Sequence, residues 1–102
     1  MTPIEECDYD IRRYQSLRNR VKSIIVYLEK YDSKSEEFEK KINGAYLVDN
    51  EKTNISKRIT DLKDDVHKTS NYLKYTIIPN IDECINRLRK TRQLLEAAAN
   101  IF

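Results

Sequence analysis

Residues 7–42 read CDYDIRRYQSLRNRVKSIIVYLEKYDSKSEEFEKKI. Within them Cys7, Tyr14, Leu17, Val21, Ile24, Leu28, Tyr31, Phe38 and Ile42 fall on one ladder of alternating three- and four-residue steps, interrupted only by Asp10 and Ser35. Apolar residues at that spacing form a single stripe on an α-helix, and a stripe held for about five heptads needs another helix to cover it. The stretch therefore predicts an all-α, coiled-coil-like protein that works by association.

Composition agrees. The chain has 102 residues, enough for one domain. Charged residues make up 35%, against a single Gly and two Pro, which is the balance of long solvated helices and not of a turn-rich sheet protein. Such a chain buries a narrow seam, so a lone hairpin is marginal and covering by a second copy or a different chain is expected. The formal charge of +2 is too small to demand nucleic acid or a membrane surface. No apolar run reaches the roughly 20 residues of a membrane span, so no membrane insertion is expected. MTPIEECDYD carries four acids and no base, the reverse of a secretory leader. The expected location is the cytoplasm, or export without a cleaved leader.

Outward from the ladder, Thr2-Pro3-Ile4-Glu5 has the order of a capping box with Pro at the first helical position. Asn43-Gly44 supplies a left-handed residue to end the helix. Asp32-Ser33-Lys34-Ser35 could cap a fresh helix, but the apolar phase is the same on both sides, which favours continuity. Helix one is thus expected over about residues 3–42, a loop over about 43–50 with Tyr46, Leu47 and Val48 covering the tip, and helix two over about 50–100, capped by Asp49 or Asn50. The second seam reads Ile55, Ile59, Leu62, Val66, Thr69, Leu73, and then Ile81, Cys84, Leu88, Thr91, Leu95, Ala98, Phe102. Between the two halves, Leu73, Ile77 and Ile81 are spaced four and four, a one-residue phase shift. Pro79 removes a backbone donor at the same place and clashes with the Tyr75 carbonyl. The second helix is therefore expected to be kinked or broken within residues 76–80. The fold expectation is an antiparallel helical hairpin that joins a larger helical bundle.

A register in which residue i faces one near 93–97 minus i sets Glu5, Glu6 and Asp8 against Arg87, Arg89 and Lys90. It also sets Lys30 and Lys34 against Asp64 and Asp61, and Glu36 and Glu37 against Lys57 and Arg58. Exposed pairs contribute only about 0–1 kcal/mol each, yet a wrong register would stack like charges. The same register brings Cys7 and Cys84 together at the open end, as two reduced, buried thiols or, after export, as a disulfide clamp.

Residues 24–28, IIVYL, are apolar on every face. One neighbouring helix covers one side, which assigns Ile25, Val26 and Tyr27 to a partner interface. Tyr72, Tyr75 and Ile78 form a second interface cluster just before Pro79, since a large ring with a polar tip suits interfaces. Arg12, Arg13, Arg18, Arg20 and Lys22 make a basic patch whose opposite segment, 71–81, offers no acid and adds Lys74. It suits an acidic protein surface or a phosphate backbone. No base-stacking platform or groove-reading motif accompanies it, which argues against specific nucleic-acid recognition.

Nothing in the sequence announces catalysis, a cofactor or a small-molecule substrate. His67 stands near Asp64 and Asp65 on an exposed helical stretch, with no nucleophile or oxyanion donor in reach. Cys7, Cys84 and His67 cannot share a metal, because His67 and Cys84 are separated by roughly 25 Å of helix.

A helical hairpin of about 100 residues that turns on a Gly near its middle resembles the WXG100 superfamily, and more narrowly the small helical partners of LXG toxins in type VII secretion. Ile42-Asn43-Gly44 keeps the Gly of the family's Trp-x-Gly turn and loses the Trp. The family's helical export signal, Tyr-x-x-x-Asp/Glu, is not matched, since Tyr46 is followed four residues on by Asn50. The resemblance implies a non-enzymatic chaperone or adaptor that binds the helical part of a secreted effector. Two other classes compete with it: a homo-oligomeric coiled-coil subunit of an intracellular or viral assembly, and a small basic nucleic-acid-associated protein.

Overall fold

The computed structural model describes residues 1–45 and 48–101. Helix α1 spans Pro3–Asn43; the second arm consists of α2, Asp49–Tyr72, a π turn at Leu73–Ile77, and α3, Ile78–Ile101. No strand occurs among the described residues. The expected cover of the tip by Tyr46 and Leu47, and the end of the ladder at Phe102, lie outside the described residues. Val48 is exposed.

α1 begins as its sequence prescribes. The Glu5 backbone N–H donates to Thr2 Oγ1 at 3.2 Å, the Thr2 hydroxyl donates to Glu5 Oε1 at 3.2 Å, and Pro3 occupies a position where no N–H is required. The helix runs unbroken through Asp32–Ser35. Ser35 is buried at the contact between the arms, and its hydroxyl donates to the Asp32 carbonyl at 2.8 Å. The C-terminus departs from expectation. Gly44 has φ −88° and ψ −4°, right-handed, and its N–H simply continues the ladder to the Lys40 carbonyl at 3.1 Å. The cap of α2 departs too: Val48 holds that position without a side-chain hydrogen bond, and Asp49 and Glu51 instead place negative charge in the first turn.

The arms are antiparallel, as the order of the cross-arm ion pairs requires. Asp8 meets Arg92, Arg18 meets Asp82, Glu29 meets Lys74 and Glu36 meets Lys63. Residue i therefore faces one near 100 minus i, about one turn beyond the register expected from charge matching. Asp8 takes a base two residues beyond Lys90, and Glu36 takes one six residues beyond Lys57. The shift also separates the cysteines. Cys7 lies level with residues near 93 and Cys84 with residues near 16, about nine residues or roughly 13 Å along the axis, beyond disulfide reach. Both are free thiols, Cys7 buried and Cys84 half-buried.

The interruption near Pro79 takes the form of a π turn, not a helix end. The Ile78 N–H bonds to the Leu73 carbonyl, five residues back. A π turn inserts one residue into an α-helix, which is the phase shift carried by Leu73, Ile77 and Ile81. It also widens the backbone directly before the proline ring, where a regular helix would place a carbonyl in contact with it.

Packing concentrates in the open-end half of the hairpin. Ile11, Val21 and Ile25 of α1 are buried against Ile81 and Ile85 of α3, with Tyr14, Leu73, Ile77, Ile78 and Leu88 around them. Towards the tip, Ile59 is the buried apolar residue of α2. The molecule measures 79 × 17 × 16 Å with a radius of gyration of 22.6 Å, against about 13 Å for a compact chain of this length. Its surface of 8125 Å² exceeds the roughly 6,100 Å² expected for a compact monomer of the same mass by about a third.

Two substitutions test this account. Ile25→Ala leaves a cavity in the isoleucine cluster and is expected to lower unfolding free energy by about 2–4 kcal/mol in urea titrations; an unchanged midpoint would show that Ile25 does not face α3. Gly44→Ala places a methyl group 3.6 Å from the nearest carbonyl, an ordinary contact, on right-handed backbone. It should stabilise by about 0.4–1 kcal/mol, whereas a left-handed Gly44 would make the same change destabilising.

Candidate partner-binding face

The contact between the arms uses a different pair of rungs from the apolar ladder. One rung is shared: Cys7, Tyr14, Val21, Leu28 and Ser35 of α1 are all buried or half-buried. The other inward rung is Ile11, Arg18, Ile25, Asp32 and Glu39, one residue after the ladder positions. The displaced ladder residues Leu17, Ile24 and Phe38 are consequently 44%, 50% and 51% exposed, with Tyr31 half-buried between them. The second arm repeats this shift. Ile59 and Val66 face α1 together with Lys63 and Ser70, leaving Leu62 and Thr69 exposed, and Arg92 in place of Thr91 points inwards on α3.

On each arm the exposed rung comes one residue before an inward one, so each stripe is rotated in the same sense about its own helix. Because the arms run antiparallel, equal rotations bring both stripes to the same face of the hairpin. Leu17, Ile24, Tyr31 and Phe38 lie on that face from one arm, Leu62, Thr69 and Thr91 from the other. Beside the α1 stripe runs a parallel row at seven-residue spacing, Arg13, Arg20, Tyr27, Lys34 and Lys41, all exposed. The Arg13 guanidinium sits 5.7 Å above the Tyr9 ring on the same helix.

The residues singled out from sequence separate into three groups. Ile25 is core, 7% exposed, and Ile78 packs half-buried against the same cluster, so neither is offered to a partner. Val26 and Tyr27 are exposed, but on different sides: with Ile25 pointing inwards, Ile24 and Val26 stand about 100° to either side of it. Tyr72 and Tyr75 are exposed beside and within the π turn. Sequence reasoning missed Leu17, Ile24, Phe38 and Leu62 as surface residues because their ladder spacing is also that of a buried seam.

The basic patch divides as well. Arg12, Arg13, Arg20 and Lys22 are exposed. Arg18 is answered within the hairpin, its Nε donating to Asp82 Oδ1 at 2.6 Å, and Lys74 pairs with Glu29. Asp82 lies three residues, and Glu29 six, beyond the partners that the expected register allowed. The hydrogen bond to Glu29 raises Lys74 above its ordinary value. Asp8 and Glu96 together do the same for Arg92, which joins the arms at the open end.

His67 is exposed at the rim of a cleft between the arms lined by Leu28, Asp32, Ser70 and Lys74. Asp32 Oδ1 is buried there without a hydrogen-bond partner among the described residues. Among the described residues no group of three or more His, Cys, Asp and Glu side chains could hold a metal ion, and no helix is long and apolar enough to cross a membrane.

The Lys74–Glu29 pair has a defined pH signature. A lysine raised in the folded state contributes stability that is complete below its unfolded value of 10.5 and is lost as pH rises through the folded value. Alkaline unfolding curves of the wild type and Glu29→Gln should therefore converge at the top of that range and separate below it. Parallel curves throughout would dissolve the pair.

No protein-family model, curated protein or solved structure matches this chain.

Proposed function

We propose that this protein is a non-enzymatic interaction module that binds a helical partner domain and completes its core with it. The observation that carries this reading is the rotation of the apolar ladder away from the contact between the arms. Exchanging one of two rungs for its neighbour turns the mean apolar direction of each helix by about 50°, half of the 100° step of one residue. In a four-helix bundle the central axis lies about 45° off the line joining adjacent helices, and apolar positions point at that axis. The hairpin thus has the apolar geometry of half a bundle. Its excess surface and a core in which, among the described residues, no large side chain is fully buried support the same conclusion.

Within this reading the protein serves as the targeting or chaperone partner of a type VII-secreted effector of the LXG type. The support is architectural: two arms joined at Gly44, with one face left for a second helical pair. Binding, not catalysis, is the activity proposed, and no cofactor takes part.

Coexpression with the products of adjacent genes, followed by affinity purification and light scattering, tests the reading. A stoichiometric complex is expected, and either Ile24→Asp or Phe38→Asp should abolish it by placing an unpaired charge in a desolvated contact. Both side chains are half exposed, so circular dichroism should remain that of the wild type. A stable monomer with no such complex, or a complex indifferent to both substitutions, would refute the proposal.

A further inference from the structure

We infer that the partner helix seated on α1 belongs to a different kind of chain and carries acidic side chains beside its apolar stripe. The inference deepens the interaction role proposed above and rests on it. Its basis is the row Arg13, Arg20, Tyr27, Lys34 and Lys41, which flanks Leu17, Ile24, Tyr31 and Phe38 one heptad at a time. In helical assemblies the positions flanking the apolar stripe decide which partner is accepted, through charges on the facing helix. Four of these five positions are cationic and none is acidic, in a protein whose whole formal charge is +2. Among the described residues, none of the four forms a salt bridge with its own chain, whereas Arg18, Lys63, Lys74 and Arg92, nearer the seam, all do.

The row also argues against a second copy. It is symmetric about Tyr27, so an antiparallel α1–α1 contact that pairs the apolar stripe with itself brings Arg13 to Lys41 and Arg20 to Lys34. Every such meeting is between like charges, the usual device for rejecting a wrong partner. The second arm does not present an acidic row either: its corresponding positions read Glu51, Arg58, Asp65, Tyr72, then Asn80, Arg87 and Leu94 beyond the π turn, two acids against two bases. A lipid surface or nucleic acid would also meet cations, but neither explains why the apolar residues between them keep a seven-residue repeat. That repeat is the imprint of a helix.

The symmetry provides a probe made from the protein itself. The variant Arg20→Glu/Lys34→Glu presents the same apolar stripe with acidic flanks, and Arg13→Glu/Arg20→Glu/Lys34→Glu/Lys41→Glu does so more completely. All four side chains are exposed, and circular dichroism would verify the fold. Wild type and variant, mixed in equal amounts, are expected to form a hetero-complex at least about tenfold tighter than either forms with itself, weakening as salt is raised. Cross-association no tighter than self-association, with either variant, would overturn the inference. So would retention of anionic vesicles or duplex DNA by the wild type, lost in the variants, without any hetero-complex. A neighbour-gene complex that Ile24→Asp abolishes and Arg20→Glu/Lys34→Glu leaves intact would remove the acidic partner while the interaction role stands.

Discussion

Ile25 of α1 packs with Ile11 and Val21 against Ile81 and Ile85 of α3, and this contact sets the orientation of everything else on the long helix. A helical step is about 100°, so turning Ile25 towards the other arm turns Ile24 and Val26 out on opposite flanks. The heptad spacing then propagates the choice: Leu17 and Phe38 follow Ile24 outwards, while Arg18 and Asp32 follow Ile25 towards the contact. A local packing of five aliphatic residues thereby decides where a row of apolar side chains, more than 30 Å long at about 1.5 Å per residue, is displayed.

The inward rung that results is unusually polar, holding Arg18, Asp32, Lys63, Ser70 and Arg92. Long cationic side chains tolerate this position because their stems lie along apolar surface while their heads reach water and a carboxylate on the opposite arm. The ion pairs so formed are partly exposed and contribute little energy each. Their effect is on register, since sliding one arm by a turn would break several at once. Stability must come chiefly from apolar burial, and most of that is confined to the half of the hairpin around the isoleucine cluster.

The π turn reconciles two demands on the second arm. Pro79 cannot be accommodated in a tight helical turn without a clash, and the apolar positions on either side of it are out of phase by one residue. One inserted residue answers both, and keeps Ile59 and Val66 of α2 on the same side as Ile81 and Ile85 of α3. Tyr75, within that turn, is left largely exposed.

The capping box at Thr2–Glu5, the length and continuity of α1, the two-armed arrangement and the disturbance before Pro79 were all readable in the sequence, because each rests on residues within a few positions of one another. Bond patterns, proline sterics and hydrophobic period are local, and local physics survives without a partner. Other features required the folded pair. Gly44 is compatible with either hand of backbone, and the tertiary path took the right-handed one. The register moved by about one turn, already at Glu36–Lys63 on the tip side of the π turn, because it follows from which rungs the two arms pack together, and charge matching does not see that packing. With it moved the separation of Cys7 from Cys84 and the pairing of Arg18 and Lys74. Above all, a seven-residue repeat with apolar residues on two rungs does not say which rung meets the neighbouring arm and which is left for another molecule. Sequence determined that the stripe exists; only packing of the arms against each other decided which side of it remains open.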